Sequence, residues 1–206
     1  MVRTVKKPEI RRQEIIESAS QLFQTKTFAG TSMQDVMSML DIAKGTIYHY
    51  FKSKEELLEA VTKYIIDQDV KQKEALLETL QGNALQKLAT MIMMNTTAAE
   101  HNEVMQQLHQ PANLALHTRL LVQALIKQAP IYASLIEQGI EEGIFLCEHP
   151  LESAEFILTA FQFLTDTGIS NWSAEDMQRR TLAFPTMIEA QLGAAKGSFQ
   201  FLIENL

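Results

Sequence analysis

The chain has 206 residues, enough to bury the core of one large or two small domains without disulfide or metal staples, so a cross-linked mini-protein is excluded. Gly (8) and Pro (5) are scarce, and Leu, Ala, Met, Gln, Glu and Lys fill long stretches, so helix should dominate. The net charge of −7 is unevenly placed: residues 1–60 carry nine Lys and Arg against eight Asp and Glu, while 61–206 carry nine against seventeen, and this acidic body with a basic tip keeps nucleic acid open as a partner.

The single cysteine, Cys147, cannot close an internal disulfide, which agrees with a reducing compartment, although a small buried hydrophobe explains it as well. Residues 1–10 are basic but lack an apolar run of signal-peptide length, and the most apolar stretch, Phe156 to Leu164, is too short to span a bilayer. A soluble, cytoplasmic protein without a membrane partner is expected.

The first helix is predicted from just after Pro8 to about Thr25, with Ile15, Ala19, Leu22 and Phe23 on one stripe. Arg3, Lys6, Lys7, Arg11 and Arg12, faced only by Glu9, read either as a DNA-contacting arm or as a solvated tail. Ser32, three residues before Asp35, caps a second helix reaching about Leu40, after which Asp41 turns the chain, since Asp tolerates the left-handed conformation better than most residues. A short third helix covers about Lys44 to Tyr50. Ser53 and Glu56 carry the signature of a capping box, opening a long helix with Leu57, Val61, Tyr64 and Ile65 on one face. Gly82-Asn83 interrupts it, and further helices are predicted over about 84–98, 113–129, 131–142, 151–167 and 173–192, with Pro185 kinking the last. There is no tandem repeat.

Val36, Leu40, Ile42, Ile47 and Phe51 would give the three short helices a miniature core of the helix-turn-helix kind. One helix then braces across a DNA backbone while the next presents Lys44, Thr46, Tyr48 and His49 to a major groove wide enough to admit it. Lys and Tyr suit phosphate, and Thr and His can reach base edges. With that helix docked through Ile47 and Phe51, Tyr48 should face phosphate and Tyr50 should pack inward.

The run Lys44-Gly45-Thr46-Ile47-Tyr48-His49-Tyr50-Phe51-Lys52-Ser53-Lys54-Glu55-Glu56-Leu57-Leu58 strongly resembles the TetR family of bacterial transcription regulators, as do Ile15–Phe23 and Thr31–Val36, over roughly residues 10 to 60. The resemblance implies an all-α protein: a helix-turn-helix DNA-binding domain with a basic arm over 1–53, and a helical effector-binding and dimerisation domain over 54–206. It implies a homodimer on a palindromic, double-stranded operator, released by a small-molecule inducer, with Ser32, Lys44, Gly45, Thr46, Tyr48, His49, Lys52 and Lys54 at the DNA. This chain departs from the family's common pattern at four positions. Thr27 and Asp41 stand where Gly is common, Met37 where a small Ala is common, and Ala43 where a Ser would cap the recognition helix, a loss of typically about 1 kcal/mol.

Met91, Met93 and Met94 with Phe161, Phe163 and Trp172 could line an adaptable apolar cavity, although such a stripe is more often plain core; with His117, the residues Met91, Met94, Phe161 and Trp172 are the candidate effector contacts. His101, His109 and His117 invite a metal reading, but Pro111 lies between them and no Glu-x-x-His pair occurs, so neither metal nor cofactor is expected. No Gly-rich phosphate loop, paired catalytic acids or Ser-His-Asp signature appears, which points away from an enzyme. Gly139 and Gly143 lie one turn apart, and a helix end accounts for Gly143. Phe156 to Leu164, with Phe184, Met187, Ile188 and Leu192, is the candidate dimer face of a four-helix bundle. A regulator answering to a protein partner, or to no ligand, is the alternative, followed by a helical enzyme or carrier.

Overall fold

The structure, a computed structural model, describes residues 7–99, 103–170 and 172–204, leaving out the side chains of 94–99, 103 and 105. Its helices are α1 (Pro8–Lys26), α2 (Met33–Leu40), α3 (Lys44–Tyr50), α4 (Lys54–Thr79), α5 (Ala84–Ala99), α6 (Glu103–Leu108), α7 (Leu114–Glu141), α8 (Pro150–Leu164) and α9 (Ala174–Leu192), with short 3-10 turns at Pro111–Asn113 and Gln200–Leu202. Among the described residues there is no strand. The chain forms two compact units, one from residues up to 68 together with 102–108, the other from 69–101 and 109 onward.

In the first unit Pro8 occupies the opening turn of α1, where its missing N–H costs nothing. Arg11 and Arg12 fall inside this helix and not on a free arm; Arg3 and Lys6 lie outside the described residues. Ile15, Ile16, Ala19 and Phe23 form the buried stripe of α1, and the Phe23 and Phe28 rings meet edge to face at 5.1 Å. Leu57, Leu58 and Val61 are fully buried and belong to this unit, so it runs past the expected limit at residue 53. So does α6, which packs on α1 with Val104 and Leu108 buried; at six residues it is too short to show a helical period in the sequence.

In the second unit α7 packs along α8 and against α5. It is a single helix where two were predicted on either side of Pro130. The proline removes one N–H and leaves the Ile126 carbonyl without its usual partner, but Ile126 is 63% exposed, so water can supply that bond. Burial of Ala129, Ile131, Tyr132, Leu135 and Ile136 then keeps the helix continuous. Gly139 lies directly under the Phe145 ring, where a Cβ would come within 2.1 Å of Cδ2. Glu189, buried on α9, accepts the N–H groups of Gly197 (2.9 Å) and Phe199 (3.2 Å) on one carboxylate oxygen, which pins the segment after α9 to that helix.

Candidate nucleic-acid interface and effector cavity

The turn between α2 and α3 is built by backbone bonds alone. Asp41 adopts the left-handed conformation (φ 49°, ψ 52°), its N–H reaches the Ser38 carbonyl, and the Ile42 N–H reaches Met37 at 3.0 Å, a Schellman closure. The same closure ends α7, where Gly143 (φ 71°) takes the left-handed place and the Ile144 N–H reaches Gly139 at 2.8 Å. At its other end α2 carries a full capping box: the Asp35 N–H donates to Ser32 Oγ and the Ser32 N–H to Asp35 Oδ2. Hydrogen bonds from the Ser32 hydroxyl and backbone, together with Lys26 Nζ at 3.0 Å, hold the Asp35 carboxyl far below the usual carboxylate range. The start of α3 lacks such help, since Ala43 offers no side-chain acceptor.

Ile47 and Phe51 anchor α3 inward, both almost inaccessible, which turns Lys44, Gly45 and His49 out to solvent with Thr46 and Tyr48 half-buried beside them. A Cβ added at Gly45 would meet nothing within 4 Å. Lys44 Nζ stands 5.7 Å from the Tyr48 ring centre, and both side chains line an open depression with Gly30, Ser32, Gln34 and Lys54. Tyr50 is half-buried, its ring edge against His49 at 5.0 Å.

Two of the lysines expected at the DNA already hold protein groups. Lys54 Nζ donates to the carbonyls of Phe28 (2.9 Å) and Thr31 (3.0 Å), joining the start of α4 to the loop before α2 and leaving one N–H unused by those bonds. Lys52 Nζ donates to the Tyr48 carbonyl at 2.8 Å and closes the end of α3. Ser53 caps α4 as read, accepting from the Glu56 N–H, but the Glu56 carboxylate takes the Lys52 N–H (2.6 Å), one residue earlier than a capping box requires.

The second unit encloses an apolar cavity of about 210 Å³ among α5, α7, α8 and α9, lined by Tyr132, Ile157, Leu158, Phe161, Phe199 and others. Two amides break its apolar wall. Gln128 is tied to Asp69 at 2.8 Å, whereas Gln162 Oε1 is buried and has no hydrogen-bond partner among the described residues. Of the residues expected at an effector, Phe161 lines this cavity and stacks on Phe184 at 4.2 Å. The others stand elsewhere: Met91 is buried in the core, Trp172 lies beneath the Arg180 guanidinium at 3.7 Å, and His117 is paired with Asp166; the side chain of Met94 lies outside the described residues. Gln128, Tyr132 and Gln162 gave no signal in the sequence, because amides and a tyrosine spread over two helices form no motif.

Residues 15–61 match the family described as bacterial regulatory proteins, tetR family, and residues 96–187 match the one described as tetracyclin repressor-like, C-terminal domain. The chain belongs to the TetR family. The HTH-type transcriptional repressor KstR2 of Mycolicibacterium smegmatis is 26% identical over 146 residues, 69% of this chain and 71% of that protein. This TetR-family chain is thus a DNA-binding transcriptional regulator. Solved structures share its fold: a regulator of Pectobacterium atrosepticum (18% identity, TM-score 0.62, 92% of this chain and 98% of that one) and RolR in complex with resorcinol (17% identity, TM-score 0.65, 96% and 95%).

Two of this TetR-family member's four departures now have a physical expression. Thr27 (φ 64°) and Asp41 (φ 49°) are the non-glycine residues with positive φ among those described, and they are the two positions where the family commonly has Gly. Thr27 is the more strained, since its ψ of 161° puts a β-branched residue in a region that is otherwise nearly glycine-only. Its Oγ1 compensates in part by accepting the Gly30 N–H at 3.1 Å.

Proposed function

We propose that this regulator is a homodimeric repressor that sets its two α3 helices in successive major grooves of a pseudo-palindromic operator, roughly 34 to 36 Å apart, and is released by a small, largely apolar inducer. The observation that carries the DNA half is α3 itself, anchored by Ile47 and Phe51 with Lys44, Gly45 and His49 outward. Lys44, Tyr48 and Ser32 serve phosphate, Thr46 and His49 serve base edges, and Lys52 and Lys54 brace the reading helix before they serve DNA. A regulator that reads a bacterial operator works in the cytoplasm.

The cavity in the second unit supports an inducer with an apolar body and one hydrogen-bond donor, the donor satisfying Gln162 Oε1. Release follows only if the inducer prefers the form that does not fit the operator. The dimer face is supported by Phe156, Leu164, Leu182 and Met187, exposed on α8 and α9. Phe184, Ile188 and Leu192, expected on that face, are instead buried within the chain, because α9 turns that side toward its own core.

Selection of bound fragments from a random DNA pool tests this reading. Recovered sites should share a two-fold symmetric motif. Thr46→Ala should change the preferred sequence, whereas Tyr48→Phe should weaken all sequences alike. Recovery of no enriched motif, or identical effects of the two substitutions, would overturn the assignment.

A further inference from the structure

Apart from the interface and the cavity, three side chains with lone pairs suited to a metal converge in the second unit. His109 follows α6, His117 lies in the first turn of α7, and Asp166 lies in the turn after α8. Nε2 of His117 is 3.1 Å from Asp166 Oδ2, Nε2 of His109 is 3.7 Å from Asp166 Oδ1, and one donor atom from each residue lies within 4.8 Å of the others. Tetrahedral zinc with bonds of about 2.0–2.2 Å sets neighbouring donors about 3.3–3.6 Å apart. The two separations, one to each carboxylate oxygen, bracket that range.

The surroundings hold these groups in place. Asp166 Oδ1 accepts the N–H groups of Gly168 (2.7 Å) and Ile169 (3.2 Å), which fixes the carboxylate without help from either histidine. A Cβ at Gly168 would come within 2.5 Å of His109 Cδ2, so only glycine lets that imidazole stand where it does. His117 is 2% exposed and its Nδ1 has no hydrogen-bond partner among the described residues, a half-satisfied buried imidazole. A simple His117–Asp166 pair requires neither a second imidazole 4.9 Å from the first nor the space cleared for it. The His109 side chain, 35% exposed, leaves the group open on one side.

We propose that His109, His117 and Asp166 bind a divalent transition-metal ion of the zinc class, with a further position open to water. Two imidazoles and one carboxylate form a borderline donor set that prefers such ions to magnesium or calcium. The sequence reading set a metal aside, because Pro111 separates the histidines and the carboxylate comes from beyond α8.

The test uses the full chain, stripped with chelator and free of DNA. Zn²⁺ is titrated by calorimetry, and Co²⁺ is followed through its visible absorption. One ion per chain should bind, raise the melting temperature and give Co²⁺ the intense bands of a four-coordinate site. His109→Gln, at a partly exposed position, and Asp166→Asn, which keeps an acceptor for Gly168 and Ile169, should each weaken Zn²⁺ at least tenfold, and the surface variant His149→Gln should leave it unchanged. Circular dichroism establishes that each variant is folded, and His109→Gln decides alone if Asp166→Asn is not. Absence of saturable binding, or wild-type affinity in His109→Gln, overturns the proposal.

Discussion

The ammonium of Lys54 lies 4.2 Å from the centre of the Phe28 ring while donating to the carbonyl of the same residue. A cation–π contact and a charge-assisted hydrogen bond thus fix one lysine to one residue of the loop before α2. Lys54→Met keeps the aliphatic stem and should cost about 1–2 kcal/mol in urea unfolding, at the low end for charged hydrogen bonds because the site is partly exposed. Lys44→Met should leave unfolding unchanged and reduce the salt dependence of DNA binding by about one counterion. Equal unfolding midpoints for the two variants would show that Lys54 has no bracing role.

The strained loop positions predict stabilisation by substitution. Thr27→Gly should raise stability by about 1 kcal/mol, the relief of backbone strain offset by the entropy of glycine and by loss of the Gly30 contact. Asp41→Gly should contribute about 0.5–1 kcal/mol by placing the favoured residue in the left-handed cap. Denaturant midpoints that move down in both variants would refute the strain argument.

Gly45 separates stability from binding. Since a Cβ there has free space, Gly45→Ala should stabilise α3 by about 0.5–1 kcal/mol. If α3 enters a groove at this point, the same methyl should lower operator affinity at least tenfold. Unchanged affinity in a gel shift would move the closest approach to another part of the helix.

Gly139 behaves in the opposite way. Gly139→Ala should destabilise the protein by about 1–3 kcal/mol despite alanine's better helix propensity, because the Phe145 ring occupies the space. Combined with Phe145→Leu, its cost should shrink, a coupling that a double-mutant cycle measures directly. Strict additivity of the two changes would exclude the contact.

Glu142 ties α7 to the first turn of α5. Its pKa lies below the ordinary 4.5, mainly because its carboxylate accepts the Ala84 N–H at 2.8 Å and also the Gln138 amide. A depressed carboxylate stabilises fully above 4.5 and loses that contribution as pH falls through its lowered folded value. Glu142→Gln should therefore flatten the acid side of a melting-temperature profile and leave the slope near neutral pH as it was.

Local chemistry made the first unit readable: Ser32 before Asp35, the turn at Asp41, and Ile47 and Phe51 flanking outward polar residues all act within a few positions. Where neighbours distant in sequence decide, reading failed. Pro130 looked like a helix end because a lone chain cannot show the buried residues around it that hold α7 together. The cavity combines residues from four helices with Phe199, so of the four expected contacts whose side chains are described, Phe161 alone lies on its wall. His117 was marked for an effector, and its partner Asp166 was invisible without the turn that brings it back.

The carboxylate of Glu189 has a practical corollary. One wall of the pocket is a phenyl group that belongs to no α-helix and stays in position through a clasp closed from ten residues upstream. Chimeras that graft only the helical scaffold of this lobe, or proteolysis just beyond Leu192, would keep every rod in the bundle yet inherit a chamber with a missing panel.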